Sequence, residues 1–312
     1  MVRAAGGLRT DAAAGGRMRR ADVAGGRGGG RMWRTDGRGG GRTDGRTQHA
    51  ASLQFPHRPA KSLPHTAICA TMPRMTRTLV CFGDSYTEGR IGASYVELLR
   101  AALGPKVHIV NAGVDGDTTL NLARRIDRDV LPHHPDVLLL LVGANDLASA
   151  YGGIVQKLYY RTLKRLPFGL PPARYAAAYR LLLDALRAKL AIPIVLCTPS
   201  AFGETLDAPQ QLMLDRYAEI VRAFGREYGM QVIDLRDAFR RRIAALERRD
   251  DDPYYILRTV SDTVLVRRGW ATYEDLAARR GWRLLVDGAH LSQAGAELTT
   301  ATMLPTLREV LR

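Results

Sequence analysis

From residue 75 onward, short apolar runs alternate with longer amphipathic stretches, and this alternation restricts the possible folds of the chain. The run Val137-Leu-Leu-Leu-Leu-Val142 is apolar throughout, which is typical of a strand buried on both faces of a parallel sheet. The pattern predicts strands at 78–83, 107–111, 136–143, 193–198 and 231–235, and helices at 94–103, 118–130, 173–190, 208–228, 236–248 and from 292 onward. We therefore expect a three-layer α/β/α fold around a five-stranded, mostly parallel, flavodoxin-like sheet.

The composition changes sharply near residue 75. Residues 1–74 contain fourteen Lys and Arg but four Asp, which gives them +10 of the formal charge of +15. They repeat Gly-Arg phrases and contain few large apolar side chains, so they cannot bury enough surface to offset the entropy of ordering. We predict a disordered Gly/Arg-rich extension at 1–74 and a folded domain at 75–312.

Three interpretations of this extension stay open. It could be an arm that binds nucleic acid, an inert extension, or translated upstream sequence before a start at Met72 or Met75. Arms that bind RNA usually interleave aromatic side chains for stacking, whereas the Gly-Arg region contains only Trp33. We therefore favour the last two interpretations and expect no nucleic-acid binding by the folded domain.

The sequence contains no apolar run long enough to cross a membrane and no signal-peptide core, which predicts a soluble, cytoplasmic protein. Its cysteines, Cys69, Cys81 and Cys197, are scattered, and the last two fall in predicted strands. Buried free thiols explain these two better than a disulfide framework or a metal site. We expect neither a metal nor a cofactor.

Four short segments contain the side chains that acyl transfer requires: Gly83-Asp84-Ser85, Asn111 to Thr119, Gly143-Ala-Asn145-Asp146 and Asp287-Gly-Ala-His290. A hydroxyl nucleophile needs a base, the base needs an acid to orient it, and the developing oxyanion needs hydrogen-bond donors. The first three segments each follow a predicted strand. Because ligand sites in open α/β sheets form beyond the carboxyl ends of the strands, we expect these segments to meet in one crevice.

Each role has a candidate residue. Ser85 is the candidate nucleophile, His290 the base and Asp287 the acid that orients the base. The backbone N–H groups of Ser85 and Gly116 and the side chain of Asn145 are the candidate oxyanion donors. Gly113 is an alternative to Gly116, which we favour because it precedes Asp-Thr and a predicted helix start.

In this order, the segments resemble the conserved blocks of the SGNH/GDSL hydrolases. The string Gly83-Asp-Ser-Tyr-Thr-Glu-Gly89 is similar to the first block, Gly143-Ala-Asn145-Asp146 to the third, and Asp287-x-x-His290 to the last. The resemblance implies a serine esterase that acts through an acyl-enzyme on a small-molecule ester. It also implies that Asp84 braces the turn and does not react.

Two segments interrupt the alternation, at about 147–172 and 249–286, and both adjoin candidate catalytic positions. They are either a cap that contacts substrate or enlarged loops packed on the domain. Basic side chains in the first segment, Lys157, Arg161 and Lys164, would suit an anionic or sugar-bearing leaving group.

Other functions stay open as alternatives. An acyltransferase or a carbohydrate deacetylase could use the same site residues, and a nucleic-acid-binding protein could act through the Gly/Arg-rich arm. The sequence does not predict the oligomeric state.

Overall fold

The computed structural model describes residues 76–246 and 256–312. The extension predicted at 1–74 lies outside the described residues, so its predicted disorder stays a prediction.

Five parallel strands form one sheet in the order β2-β1-β3-β4-β5. The strands are β1 (Arg77–Gly83), β2 (Val107–Gly113), β3 (Val137–Leu141), β4 (Ile194–Cys197) and β5 (Val232–Ile233). This is the strand order of flavodoxin-like folds, and the prediction of a five-stranded parallel sheet is confirmed.

Helices surround the sheet and connect its strands. They are α1 (Ser85–Glu88), α2 (Tyr95–Leu103), α3 (Thr119–Ala123), α4 (Ile126–Asp129), α5 (Ala144–Tyr151), α6 (Ile154–Thr162), α7 (Pro172–Lys189), α8 (Pro209–Tyr228), α9 (Leu235–Ala244), α10 (Ile256–Arg267), α11 (Tyr273–Arg280) and α12 (Gln293–Val310). A short 3-10 helix occupies Leu131–His133. Helix α12 packs on α2 and α9, whereas α8 packs on α5 and α7, so two groups of helices enclose the sheet.

Strand β3 lies at the centre of the sheet, and every residue from Val137 to Leu141 is buried. Both faces of β3 are therefore covered, which explains why apolar residues occupy both alternating sets of positions. The thiols of Cys81 and Cys197 are free and buried in neighbouring strands, as predicted. Burial raises the pKa of the Cys81 thiol to about 12, so it is not a reactive thiolate at neutral pH.

Two predicted elements have different bounds in the structure. The helix predicted at 118–130 is divided into α3 and α4, and Arg125, between them, points its guanidinium inward to the carbonyl oxygens of Gly83 and Ala112. Strand β5 ends earlier than predicted because Asp234 caps α9 by accepting a hydrogen bond from the Asp237 amide.

The segments 147–172 and 249–286 contain helices that the pattern did not predict. The first holds α6 and most of α5, and the second holds α10 and α11. The buried residues of α6 are Gln156 and Tyr160, and those of α10 are Thr259 and Asp262. Because these buried faces are polar, the usual apolar periodicity of a helix is missing.

Among the described residues, we found no helix with the length and apolar character needed to span a membrane. This finding does not test the predicted cytoplasmic location, which stays a prediction.

Candidate active site

The carboxyl end of the sheet brings four of the five candidate residues to one cavity. Ser85, Gly116, Asn145 and His290 all line this cavity, whose volume is about 600 Å³. Ser85 is the first residue of α1, the helix that follows β1, and Asn145 lies in the first turn of α5, the helix that follows β3. The sheet therefore places side chains 205 positions apart in the chain around the same space.

The fifth candidate, Asp287, lies behind His290 and binds its ring. Asp287 Oδ2 is 2.8 Å from His290 Nδ1, and both side chains are buried. Asp287 Oδ1 accepts hydrogen bonds from the backbone N–H groups of Ala289 and His290, at 3.0 and 2.9 Å. Thr259 of α10 donates a further hydrogen bond to Oδ2 at 2.6 Å. These contacts hold the imidazole with Nδ1 toward the carboxylate and leave Nε2 for another partner.

Burial and charge act in opposite directions on this pair. Burial by itself raises the pKa of Asp287, but the charge of His290 and the hydrogen bonds to the carboxylate lower it to about 2. Burial lowers the pKa of His290, but the Asp287 carboxylate outweighs burial and raises that pKa above its usual 6.5. The pair therefore favours an ionised acid beside an imidazole of increased basicity.

A second acidic side chain fixes the loop that carries this pair. Glu204 follows β4, and its carboxylate accepts hydrogen bonds from three consecutive backbone N–H groups, those of Arg283, Leu284 and Leu285. The Gly203 amide also donates to the Gly288 carbonyl at 2.8 Å. The loop of His290 is thereby attached to the segment that follows β4.

Ser85 is partly exposed to the cavity, and Asp84 caps its helix by accepting a hydrogen bond from the Tyr86 amide at 3.1 Å. Across 76–246 and 256–312, no hydrogen bond joins the Ser85 hydroxyl to His290, although both line the cavity. Catalytic hydrogen bonds are often longer in a free enzyme and shorten when substrate binds.

Gly116 has a left-handed backbone, with φ of +70°. A Cβ atom at this position would overlap the hydroxyl oxygen of Tyr159, so a larger residue would have to displace that side chain and would also strain the backbone. Within the described residues, the Gly116 N–H forms no hydrogen bond, whereas the Gly113 N–H donates to Asn111 Oδ1 at 3.0 Å. The N–H of Gly116 is therefore available to a ligand and that of Gly113 is not.

Both ends of the Asn145 amide are held. Its nitrogen donates to Asp84 Oδ2 at 3.2 Å, and its oxygen accepts a hydrogen bond from the Tyr160 hydroxyl at 2.6 Å. An amide nitrogen carries two hydrogens, so one remains to point into the cavity. Burial raises the pKa of Asp84 to about 7, and the hydrogen bonds from Tyr86 and Asn145 partly oppose this effect.

A buried network supports the Gly116 loop. Asp117 forms ion pairs with Arg125 at 2.7 Å and with Lys164 at 2.9 Å, and Lys164 also donates to the Asp115 carbonyl. Arg125 binds the carbonyl oxygen of Gly83 at 2.7 Å, which links this loop to the end of β1. The same few side chains therefore position the segments that contain Ser85 and Gly116.

The supporting roles of four residues in this arrangement were not predicted: Tyr160, Thr259, Lys164 and Glu204. Three of them lie in the segments 147–172 and 249–286, where no pattern distinguished a buried polar residue from a solvated one. The structure also separates the basic side chains of 147–172. Lys164 binds Asp117, while Lys157 and Arg161 line a separate depression beside Phe168. Their proposed contact with a leaving group therefore receives no support from this geometry.

The cavity combines a hydroxyl at the start of a helix, an imidazole paired with a carboxylate, and unused N–H groups. These are the functional groups of a serine hydrolase active site. The model of the GDSL-like Lipase/Acylhydrolase family matches residues 81–298. The chain belongs to this family and is an ester-hydrolysing serine hydrolase.

Curated relatives include acetylxylan esterases. One from Geobacillus stearothermophilus is 27% identical over 52% of this chain and 77% of its own length. Another, from Xylanibacter ruminicola, is 27% identical over 50% of this chain but 35% of its own length. An uncharacterized lipoprotein of Bacillus subtilis is 35% identical over a segment that covers 22% of this chain.

Solved structures share the fold. An acetylxylan esterase from Geobacillus stearothermophilus superposes with a TM-score of 0.51 and 21% identity, over 74% of this chain and 95% of the other. An alpha/beta hydrolase enzyme from the metagenome of Lake Arreo gives a TM-score of 0.53 and 21% identity, over 76% and 96% of the two chains. At this identity the comparison establishes the architecture.

Proposed function

We propose that Ser85, His290 and Asp287 form the catalytic triad of a carboxylic ester hydrolase that works through an acyl-enzyme. The observation that carries this proposal is the buried Asp287–His290 pair, whose imidazole lines the same cavity as the Ser85 hydroxyl. His290 accepts the proton of Ser85 as the hydroxyl oxygen attacks the ester carbonyl carbon, and the imidazolium is stabilised by Asp287.

In the next step, the tetrahedral intermediate collapses. His290 donates its proton to the leaving alkoxide, the C–O bond to the alcohol breaks, and the acyl group stays on Ser85. Water then attacks the acyl-enzyme while His290 accepts a proton from it, and a second collapse releases the carboxylic acid and restores the Ser85 hydroxyl.

We further propose that the oxyanion binds to the N–H groups of Ser85 and Gly116 and to the side-chain nitrogen of Asn145. Support comes from the absence of other hydrogen bonds to the two backbone groups within the described residues. Further support comes from the orientation of the Asn145 amide, which Tyr160 and Asp84 hold in place. Preorganised donors of this kind stabilise the developing charge without a reorganisation cost.

The test is hydrolysis of p-nitrophenyl esters of increasing acyl length by the full chain, with acetylated xylo-oligosaccharides assayed alongside. We expect Ser85→Ala to abolish hydrolysis, while the matched control Ser261→Ala, an exposed serine of α10, retains full activity. A fluorophosphonate probe should add its phosphonyl group to Ser85, which mass spectrometry can localise. Hydrolysis by the Ser85→Ala variant at the wild-type rate would show that the nucleophile is assigned wrongly.

An added alcohol acceptor distinguishes the alternative activity. If the acyl group goes mainly to a dilute acceptor and not to water, the enzyme is an acyltransferase that uses the same residues.

A further inference from the structure

Exposed apolar side chains are concentrated in the two segments that supply part of the cavity wall. Of the twelve large hydrophobic side chains that are exposed within the described ranges, ten lie in the segments 147–172 and 249–286. They are Tyr151, Ile154, Val155, Leu158, Leu163 and Phe168 in the first segment, and Leu257, Val260, Val264 and Trp270 in the second. Isolated exposed apolar residues are ordinary, but a concentration of them marks an interaction site.

Helix α6 has its apolar residues on the outside. Its buried residues are Gln156 and Tyr160, and Tyr160 binds Asn145. Its apolar residues Ile154 and Leu158 are 84% and 60% exposed. A helix that only covered the domain would have the opposite arrangement, because burial of apolar surface is what stabilises such packing. The outer face of α6 therefore indicates a partner outside the domain.

The apolar surface continues into the cavity. Leu163, Val260 and Val264 are exposed and also line the cavity that contains Ser85. A partner that covers α6 and α10 would consequently lie over the entrance to the candidate active site. We call the ten exposed residues defined above the cavity rim.

Residues 147–172, which supply six of the ten cavity-rim residues, have a charge that restricts the kind of partner. Residues 147–172 contain Lys157, Arg161, Lys164 and Arg165 and no Asp or Glu. Lys164 is bound to Asp117, but Lys157, Arg161 and Arg165 are exposed. In a symmetric pair whose two-fold axis passes through this segment, a second copy of the chain would bring these cations against each other. Apolar side chains that include a tryptophan and are interspersed with cations are instead typical of a surface that rests on anionic lipid.

We propose that the cavity rim binds an anionic lipid surface. The apolar side chains of α6 and α10 enter the boundary between headgroups and acyl chains, and the exposed Lys157, Arg161 and Arg165 pair with lipid phosphates. Binding of this kind is peripheral and needs no helix that crosses the membrane. It places the cavity mouth against the layer that would present a lipid ester to Ser85.

The test measures co-sedimentation of the full chain with vesicles of phosphatidylglycerol and phosphatidylcholine, compared with vesicles of phosphatidylcholine alone. Every protein tested carries the Ser85→Ala substitution so that no lipid is hydrolysed. The outcome is therefore independent of the proposed reaction. Residues 1–74 carry a charge of +10 and can themselves attract anionic vesicles, so the informative comparison is between variants of equal charge.

The informative pair is Leu158→Asp in the cavity rim and Leu181→Asp on α7. The two leucines have similar exposure, 60% and 54%, and both variants add one negative charge. We expect the first to weaken partitioning to anionic vesicles about tenfold relative to the second, because it removes an apolar side chain from the interface. Ile154→Asp, at a position that is 84% exposed, should do the same and provides a second variant whose folding is not at risk.

Three results would overturn the proposal. Equal partitioning of the Leu158, Ile154 and Leu181 variants would show that the extension or general charge causes the binding. Sedimentation without vesicles could instead show that the chain is a dimer and that its Leu158→Asp variant is a monomer. This result would assign the cavity rim to self-association. Failure of the full chain to bind anionic vesicles at all would also refute the lipid proposal.

Discussion

Replacement of Tyr160 by phenylalanine should slow the reaction although Tyr160 is not expected to touch the reacting atoms. Its hydroxyl donates to Asn145 Oδ1 at 2.6 Å, and this contact determines which end of the amide faces Asp84 and the cavity. Without the hydroxyl, the amide loses the only donor assigned to its oxygen in the described part of the chain, and it gains freedom to rotate. Tyr160 is thus a positioning residue for the proposed oxyanion hole.

The magnitude has an upper and a lower bound. A neutral hydrogen bond contributes about 0.5–1.5 kcal/mol. This range corresponds to a loss of about 2- to 12-fold in kcat/KM if all of it is expressed in the transition state. Removal of the whole donor in Asn145→Ala should cost more, about 10²- to 10³-fold. We therefore expect Tyr160→Phe to lower kcat with little change in KM and to stay well below the effect of Asn145→Ala.

The assay is steady-state hydrolysis of a short p-nitrophenyl ester by both single variants and the double variant. If Tyr160 acts through Asn145, its replacement should have almost no effect in the Asn145→Ala background. Tyr179→Phe is the matched control, because the Tyr179 hydroxyl is buried with no hydrogen-bond partner among the described residues, so its loss should leave kcat/KM unchanged. Equal losses from Tyr160→Phe in both backgrounds would refute the positioning role, and full activity of Asn145→Ala would refute the oxyanion assignment itself.

The remaining predictions concern proton transfer, backbone conformation and the support of the acid. The pKa of His290 is raised above 6.5 and its neutral imidazole is the proposed base, so kcat/KM should fall as the pH drops through a value above 6.5; a pH profile that is flat down to pH 6 would contradict this. Gly116→Ala should reduce kcat/KM by about 10²-fold or more, whereas Gly104→Ala, which has a similar φ of +69° but nothing within 4 Å of the added Cβ, should lower thermal stability and leave kcat/KM unchanged. Thr259→Val should raise the pKa of Asp287 and reduce kcat/KM by about 2- to 12-fold, and an unchanged kcat/KM would show that the remaining contacts of Asp287 suffice.

Much of the sheet could be predicted from the chain alone. A strand such as Val137–Leu141 is buried on both faces, so its apolar run reports its environment directly. The positions of Ser85 and Asn145 after two such strands were sufficient to expect that they meet, since parallel strands end at the same edge. Ser85 and Asn145 line one cavity because of the sheet topology, which the pattern of apolar strands along the chain predicts.

The amino-acid sequence by itself therefore determined the order of the five strands and of the long helices α2, α7, α8, α9 and α12, together with the family and the candidate triad. Only the tertiary structure decided that Tyr160 holds Asn145, that Thr259 and Glu204 support the Asp287 loop, and that α6 exposes its apolar face. The physical reason is that the spacing of apolar residues along a helix or strand indicates which face of that element is buried. A hydrogen bond between side chains on distant segments depends instead on how those segments pack, and no local pattern carries that information.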